Sequence, residues 1–136
     1  MRQLGWLDTA LFVHVLFPRD THYERSMSIL QELEHGDAEG WLDPLVIHEL
    51  TYVLPRTKLP HVSDRAGIHR YLRRILAAGG VHAEGKDDLI KALALWASRR
   101  IGLVDARLTV LARKRGLPVC SPNLRDFPDV TNRWLE

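Results

Sequence analysis

Apolar residues recur at helical spacing along much of the chain, and the first clear helix is predicted over residues 22–34. Thr21 and Glu24 have the spacing of a capping box, in which each side chain bonds the other's backbone amide. Gly36 follows as a stop signal, because glycine readily adopts the left-handed conformation that ends many helices.

The segment after Asp43 predicts a second helix with both ends marked. Asp43 is a good capping residue and Pro44 suits the first helical position. Apolar residues then follow at helical spacing until Pro55, which breaks helices, so this helix is predicted over 44–54. Further helices are predicted over 64–78, 86–100 and 103–115.

The helix over 103–115 is expected to bury one stripe of apolar side chains. Val104, Leu108 and Leu111 fall on that stripe, and Gly116 stops the helix.

Short apolar runs between the helices predict β-strands. They lie in the stretch QLGWLD (3–8), near Trp41, in LPVCS (117–121) and, more weakly, at 130–131. Strands that alternate with helices favour parallel β-α-β crossovers, with helices on both faces of the sheet. Ligands of such sheets bind beyond the carboxyl ends of the strands.

Length and composition fit one globular domain. The chain has 136 residues, of which 46% are hydrophobic and 26% charged, and we expect a single domain over 1–136. No apolar stretch reaches membrane-spanning length, so we expect a cytoplasmic protein without membrane contact. The one cysteine, Cys120, is expected to be a small core residue.

The net charge of +2 conceals an uneven distribution. Residues 1–90 carry 10 Lys or Arg against 13 Asp or Glu, whereas residues 91–136 carry 9 against 4. The basic C-terminal part suits a phosphate-rich partner, although a solvated helix face explains such a cluster equally well.

Four acidic residues stand out by position. Asp8 follows the first strand, Asp105 opens a helix, and Asp126 follows the strand at 117–121. Capping of a helix or turn is the alternative interpretation for these three. Glu49 lies in a helix that is apolar around most of its circumference, where a buried carboxylate is costly unless a cation accompanies it.

Oxygen ligands of this kind favour Mg²⁺ or Mn²⁺, and such sites commonly act on phosphate. Other chemistries fit less well. The stretch HELTY begins like a zinc-protease motif, but Tyr52 stands where the second histidine ligand is required. No phosphate-binding glycine loop or serine nucleophile elbow occurs.

Four motifs in sequence order resemble those of PIN domains, and their arrangement over the full length is similar to a VapC-type toxin. They are WLDTALFVHVLF, DPLVIHELTYVLPR, GLVDARLTVLARKRGLPV and CSPNLRDFPDV. The resemblance implies an α/β fold, a PIN-like three-layer α/β/α sandwich with a central parallel sheet. It also implies a Mg²⁺- or Mn²⁺-dependent ribonuclease that dimerises and that an antitoxin encoded beside it holds inactive.

The resemblance assigns catalytic and metal-binding roles to the four acids, which are Asp8, Glu49, Asp105 and Asp126. We expect a second group of side chains to orient carboxylates or waters, namely Thr9, Ser121 and Asn123. Candidates for holding the RNA backbone are Arg99, Arg100 and Arg107.

Two positions depart from the family pattern and leave other functions open. Ala10 stands where the family often has an asparagine that assists the first acid, and Asn123 stands where an acid is common. One alternative is a PIN-like domain that binds RNA or a partner but cleaves poorly. Another is a receiver-like signalling domain, which also clusters acids at strand ends but normally has a lysine near its last strand, where PVCSPN has none.

Overall fold

A computed structural model describes residues 1–136, which form two compact units, Met1–Lys86 and Asp87–Glu136. The elements of the first unit are, in chain order, β1 (Arg2–Trp6), α1 (Thr9–His14), α2 (Tyr23–His35), β2 (Ala38–Trp41), α3 (Pro44–Arg56), the 3-10 turn Pro60–Val62, α4 (Arg65–Ala77) and β3 (Val81–His82). Those of the second are α5 (Lys86–Ser98), α6 (Leu103–Arg115) and the 3-10 turn Leu124–Asp126. None of the helices combines the length and the apolar composition that a membrane span requires.

The sheet of the first unit is parallel throughout, with strand order β1-β2-β3, as the alternation of strands and helices predicts. Trp6 lies opposite Trp41, which in turn lies opposite His82. Two buried leucines continue the pairing beyond the strands, since the amide of Leu7 donates to the Trp41 carbonyl and that of Leu42 to the His82 carbonyl. These bonds therefore hold the backbone in place immediately before Asp8 and Asp43.

The third strand was not predicted, and it has only two residues. Gly80 explains why it forms. A Cβ at this position would lie 2.0 Å from the carbonyl oxygen of Ala38, so only glycine allows the two backbones to approach. The amide of Gly80 donates to Leu33 and its carbonyl accepts from Gly40, which ties α2, β2 and β3 together.

The ends of α2 to α6 lie within two residues of the predicted bounds, and the predicted start and stop signals hold except at two positions. Asp43 caps α3 through the Leu45 amide at 2.8 Å, and Gly36 and Gly116 end α2 and α6 in the left-handed conformation. The capping box at Thr21 does not form, because His22 and not Thr21 occupies the cap position of α2. Helix α3 also runs past Pro55 to Arg56, and Thr57 closes it by donating its amide and hydroxyl to the Leu54 carbonyl.

The second unit corrects three predictions. Val104 and Leu108 of α6 are 56% and 43% exposed, and the side that is buried instead contains Leu103, Ala106, Thr109, Val110 and Ala112. The segments 117–121 and 130–131 are not strands; one isolated parallel bridge joins Val119 of the first segment to Asn132, the residue just after the second. Cys120 is exposed rather than buried, because its neighbour Val119 takes the core position beside Ala112 and Phe127.

Candidate active site

Asp8 occupies the cap position of α1 without acting as a cap. Its backbone is extended, with φ −90° and ψ 153°, and its side chain makes no hydrogen bond to the helix. Asp43 occupies the equivalent position before α3 and does bond its helix. The capping interpretation thus holds for Asp43 and fails for Asp8, whose exposed carboxylate is available to a ligand.

Glu49 lies in α3 between the buried residues Ile47 and Leu50, but its own side chain is exposed. The expectation of a buried carboxylate was therefore wrong: the helix turns this position outward, and water solvates the charge. Leu45 and Tyr52 lie four residues before and three residues after Glu49, on the same side of the helix, and are 73% and 58% exposed. Glu49 is thus an exposed acid between two exposed apolar side chains.

Asp105 and Asp126 interact within the second unit. Asp105 is the third residue of α6, and Asp126 ends the short turn Leu124–Asp126. Burial raises the pKa of Asp105 above its ordinary value, and Asp126 raises that pKa further through its negative charge and through a hydrogen bond with the protonated form. A nearby cation favours the ionised form of a carboxylate that burial and a neighbouring negative charge would otherwise keep protonated.

The turn before Asp126 is built mainly from backbone groups. The Ser121 hydroxyl accepts from the Asn123 amide at 3.0 Å, and the Asn123 carbonyl accepts from the Asp126 amide at 3.1 Å. The Asn123 side chain is exposed and makes no capping bond. Thr9, the first residue of α1, is buried. Ser121 therefore supports the loop that carries Asp126, whereas Asn123 has a free side chain.

Asn132 is a positioning residue that the sequence analysis missed. Its side-chain oxygen accepts from the amides of Ser121 and Trp134, and its amide nitrogen donates to the Ser121 carbonyl at 3.1 Å. Phe127, 3% exposed, packs with Val119 below the same loop. The only sequence signal was an asparagine near an apolar pair, which many turns contain.

The three candidate RNA-binding arginines have different surroundings. Arg99 forms an ion pair with Asp129, which also accepts from Arg113 at 2.9 Å. Arg107 is half-buried, and one of its terminal nitrogens is enclosed without a hydrogen-bond partner. Arg100 is exposed. Of the three, Arg100 is the most accessible to a phosphate.

The acids thus fall into an interacting pair, Asp105 and Asp126, and two exposed carboxylates, Asp8 and Glu49, which make no hydrogen bond or ion pair. In neither unit do three or more His, Cys, Asp or Glu side chains form a group that could hold a metal ion. The four side chains are nevertheless all carboxylates, and the pKa of Asp105 is raised by burial and, as the smaller cause, by the neighbouring Asp126. Those two properties fit a hard divalent cation such as Mg²⁺.

Comparison with known proteins supplies the family. A search of curated proteins found no significant match. The model of the PIN domain family matches residues 6–131, a range that includes all four acids and reaches into both compact units. This match, together with the parallel sheet and the surrounding helices, confirms the predicted fold class of an α/β three-layer sandwich with a central parallel sheet. PIN domains are typically metal-dependent nucleases. The chain belongs to the PIN domain family.

Proposed function

We propose that this PIN-domain protein is an endoribonuclease that requires Mg²⁺ or Mn²⁺ and hydrolyses phosphodiester bonds of RNA. The observation that supports the proposal most directly is the Asp105–Asp126 pair, in which the pKa of Asp105 is raised. When both carboxylates are ionised they repel each other, and a divalent cation offsets that repulsion. Oxygen-donor sites of this kind are used for phosphoryl chemistry.

The proposed ligands are Asp8, Glu49, Asp105 and Asp126. When bound, the cation lowers the pKa of a water and offsets negative charge that develops on the phosphoryl oxygens. The chain's part is to hold the carboxylates in place. The Leu7–Trp41 hydrogen bond fixes the backbone before Asp8, and buried Phe127 anchors the residue after Asp126. Thr9, Ser121 and Asn123 are proposed to orient carboxylates or waters, and Arg99, Arg100 and Arg107 to contact the RNA backbone.

Four variants test this site by cleavage of a labelled RNA against Mn²⁺ concentration. Asp8→Asn should abolish cleavage in a folded protein. Asp126→Asn keeps the side chain's shape but removes one charge, so we expect turnover or metal affinity to fall roughly tenfold or more. Asn123→Asp should be tolerated, because its free side chain adds a charge of the sign that the cation favours. Arg25→Gln on α2 is the control for a general surface change.

Cleavage should stop in EDTA and return with added Mn²⁺. Undiminished cleavage after thorough chelation would refute the metal mechanism. If Asp126→Asn matched the parent at limiting Mn²⁺, Asp126 would be only a turn residue. If the folded parent bound RNA but showed no metal-dependent turnover, the poorly cleaving alternative that Ala10 suggests would replace the nuclease.

We also propose that the protein is the VapC-type toxin of a type II toxin-antitoxin pair, cytoplasmic and homodimeric. The exposed side of α3 supports a protein partner, because Leu45 and Tyr52 offer apolar anchors on either side of the Glu49 charge. An antitoxin segment between α2 and α3 would cover the two apolar side chains and place a basic side chain at Glu49.

This assignment is tested in cells. Expression of the protein alone should slow growth, and co-expression with the neighbouring antitoxin gene should restore it. Leu45→Asp combined with Tyr52→Asp should abolish the rescue while growth inhibition remains. Harmless overexpression of folded, RNA-cleaving protein would contradict the toxin role without affecting the nuclease proposal.

A further inference from the structure

A second charged region lies in the first unit, and the charge of the whole unit conceals it. Residues 56–74, here the basic segment, contain six Lys or Arg and one Asp. The rest of the unit Met1–Lys86 contains four Lys or Arg and ten Asp or Glu. The basic segment is therefore a concentrated positive region within an acidic unit.

Helix α4 displays much of this charge on one side. Its buried side consists of Ile68, Leu72, Ile75 and Leu76, together with Gly67, which packs so closely on the His61 carbonyl that a Cβ would lie 2.2 Å away. Arg70, Arg73 and Arg74 are exposed. Their spacing of three and four residues places them on a common face of the helix.

Of the three arginines on this face, one has an acidic partner. Arg74 forms a double hydrogen bond with Glu34, at 3.2 Å from Nε and 3.0 Å from the terminal nitrogen. Arg70 and Arg73 form no ion pair. The single acid of the segment, Asp64, is used to cap α4 through the Gly67 amide at 2.8 Å. Neighbouring like charges on a helix are destabilising, and a ligand that neutralises them removes that cost.

Two of the possible ligands need features that the basic segment lacks. Protein interfaces are centred on buried apolar or aromatic anchors, and interfacial membrane helices insert an apolar face. None of the large hydrophobic side chains that are exposed in this protein lies between residues 56 and 74, and the apolar side of α4 is already buried. A phosphate backbone requires only closely spaced positive charge.

We infer that the basic segment is a second RNA-contact surface, which binds the phosphate backbone through Arg70 and Arg73, with Arg56 and Lys58 extending it. The inference rests on the proposed ribonuclease function. Arg74 is bonded to Glu34 near the end of α2, where the chain enters the amino end of β2, whereas Asp8 follows the carboxyl end of β1. The basic segment thus reaches the amino ends of the strands, whereas Asp8 lies at their carboxyl ends. An RNA that contacts both regions therefore extends well beyond the cleaved bond.

The test is binding of a fluorescein-labelled oligouridine of about 20 nucleotides, measured by anisotropy in EDTA so that no cleavage occurs. Arg70→Gln combined with Arg73→Gln should weaken binding roughly tenfold at low salt and reduce the slope of log K against log salt by about 1.4, the value for two lost single-strand phosphate contacts. The matched control is Arg19→Gln with Arg25→Gln, an equal change of charge at exposed positions of the same unit. It should leave both quantities nearly unchanged.

The inference is overturned if the Arg70/Arg73 variant keeps the parent's affinity and salt slope, or if the control variant loses as much affinity. It is also overturned if polyglutamate binds the parent as tightly as oligouridine and responds to the same variants, since an acidic protein would then be the ligand. Asp8→Asn separates the two proposals, because it should abolish cleavage in Mn²⁺ while oligouridine binding in EDTA is retained. If the parent shows no cleavage in Mn²⁺ but the Arg70/Arg73 variant still loses RNA binding, the nuclease proposal is refuted and the RNA-contact surface is not.

Discussion

Replacement of Tyr71 by phenylalanine should destabilise the first unit by removing one hydrogen bond. The Tyr71 hydroxyl on α4 donates to the Phe12 carbonyl at 2.5 Å. Phe12 lies in the last turn of α1 and is fully buried, and carbonyls in the last turn of a helix have no partner within it. We expect Tyr71→Phe to lower the free energy of unfolding by about 1–2 kcal/mol and the melting temperature by roughly 3–6 °C.

The stability difference between the parent and Tyr71→Phe should also depend on pH. Burial raises the pKa of Tyr71 above its ordinary value of 10.0. Below pH 10 the folded and unfolded states both keep the proton, and the stabilisation is complete. Above pH 10 only the unfolded state releases it, so the parent loses stability relative to Tyr71→Phe by up to about 1.4 kcal/mol per pH unit. The difference between the two proteins should therefore approach zero near pH 11.

Urea unfolding at pH 8, 10 and 11 measures both quantities. Tyr52→Phe is the matched control, because Tyr52 is 58% exposed and its hydroxyl makes no hydrogen bond, and it should change stability by less than about 0.5 kcal/mol. If the stability difference between the parent and Tyr71→Phe stays constant up to pH 11, the raised pKa of Tyr71 is refuted. A loss below about 0.5 kcal/mol at pH 8 would show that the bond does not hold α1.

Three further changes test other parts of the molecule. Gly80→Ala should lower the melting temperature markedly, because its Cβ would lie 2.0 Å from the Ala38 carbonyl oxygen. Gly79→Ala, which has open space around its Cβ, is the control and should not lower it. Equal melting temperatures of the two variants would contradict the close approach at Gly80. In the metal-free protein, Asp126→Asn should lower the pKa of Asp105 measured by NMR, yet leave it above the ordinary value because burial is the larger cause; an unchanged pKa would show that the two carboxylates do not interact. Lys114→Met removes the main cause of the lowered pKa of Asp88, so that pKa should rise and acidification should cost the variant less stability than it costs the parent; an equal loss in both proteins would contradict the pairing.

The sequence predicted helices and parallel pairing well where local chemistry decides the outcome. Asp43 and Pro44 mark the start of α3 by steric and hydrogen-bonding rules that act within a few residues. The two-residue strand β3 escaped prediction because a contact between Gly80 and the distant Ala38 specifies it. The buried stripe predicted for α6 was wrong. Apolar residues of α6 occur around most of its circumference, so more than one stripe satisfies helical spacing.

The candidate site shows the same boundary between local and distant causes. Residue type and position selected Asp8, but Asp8 and Asp43 both precede a helix, and only the hydrogen bonding of the folded chain distinguishes the cap from the unbonded carboxylate. Tyr71 and Asn132 act through partners 59 and 11 residues away, which no short motif encodes. The basic segment was overlooked because net charge over residues 1–90 averages a positive stretch with the acids around it.

The bridge between Val119 and Asn132 closes a compact loop that carries Asp126. The amide of Val119 donates to the Thr131 carbonyl and the amide of Arg133 to the Val119 carbonyl, both at 2.9 Å, while Phe127 fills the loop from within. This is the organisation of an Ω-loop, whose ends are joined independently of its tip. Because the closure entropy of a loop rises only slowly with its length, about 0.6 kcal/mol per doubling, residues inserted at Pro122 would cost little stability. The loop that carries Asp126 can therefore change in length and sequence during evolution while the rest of the protein stays folded.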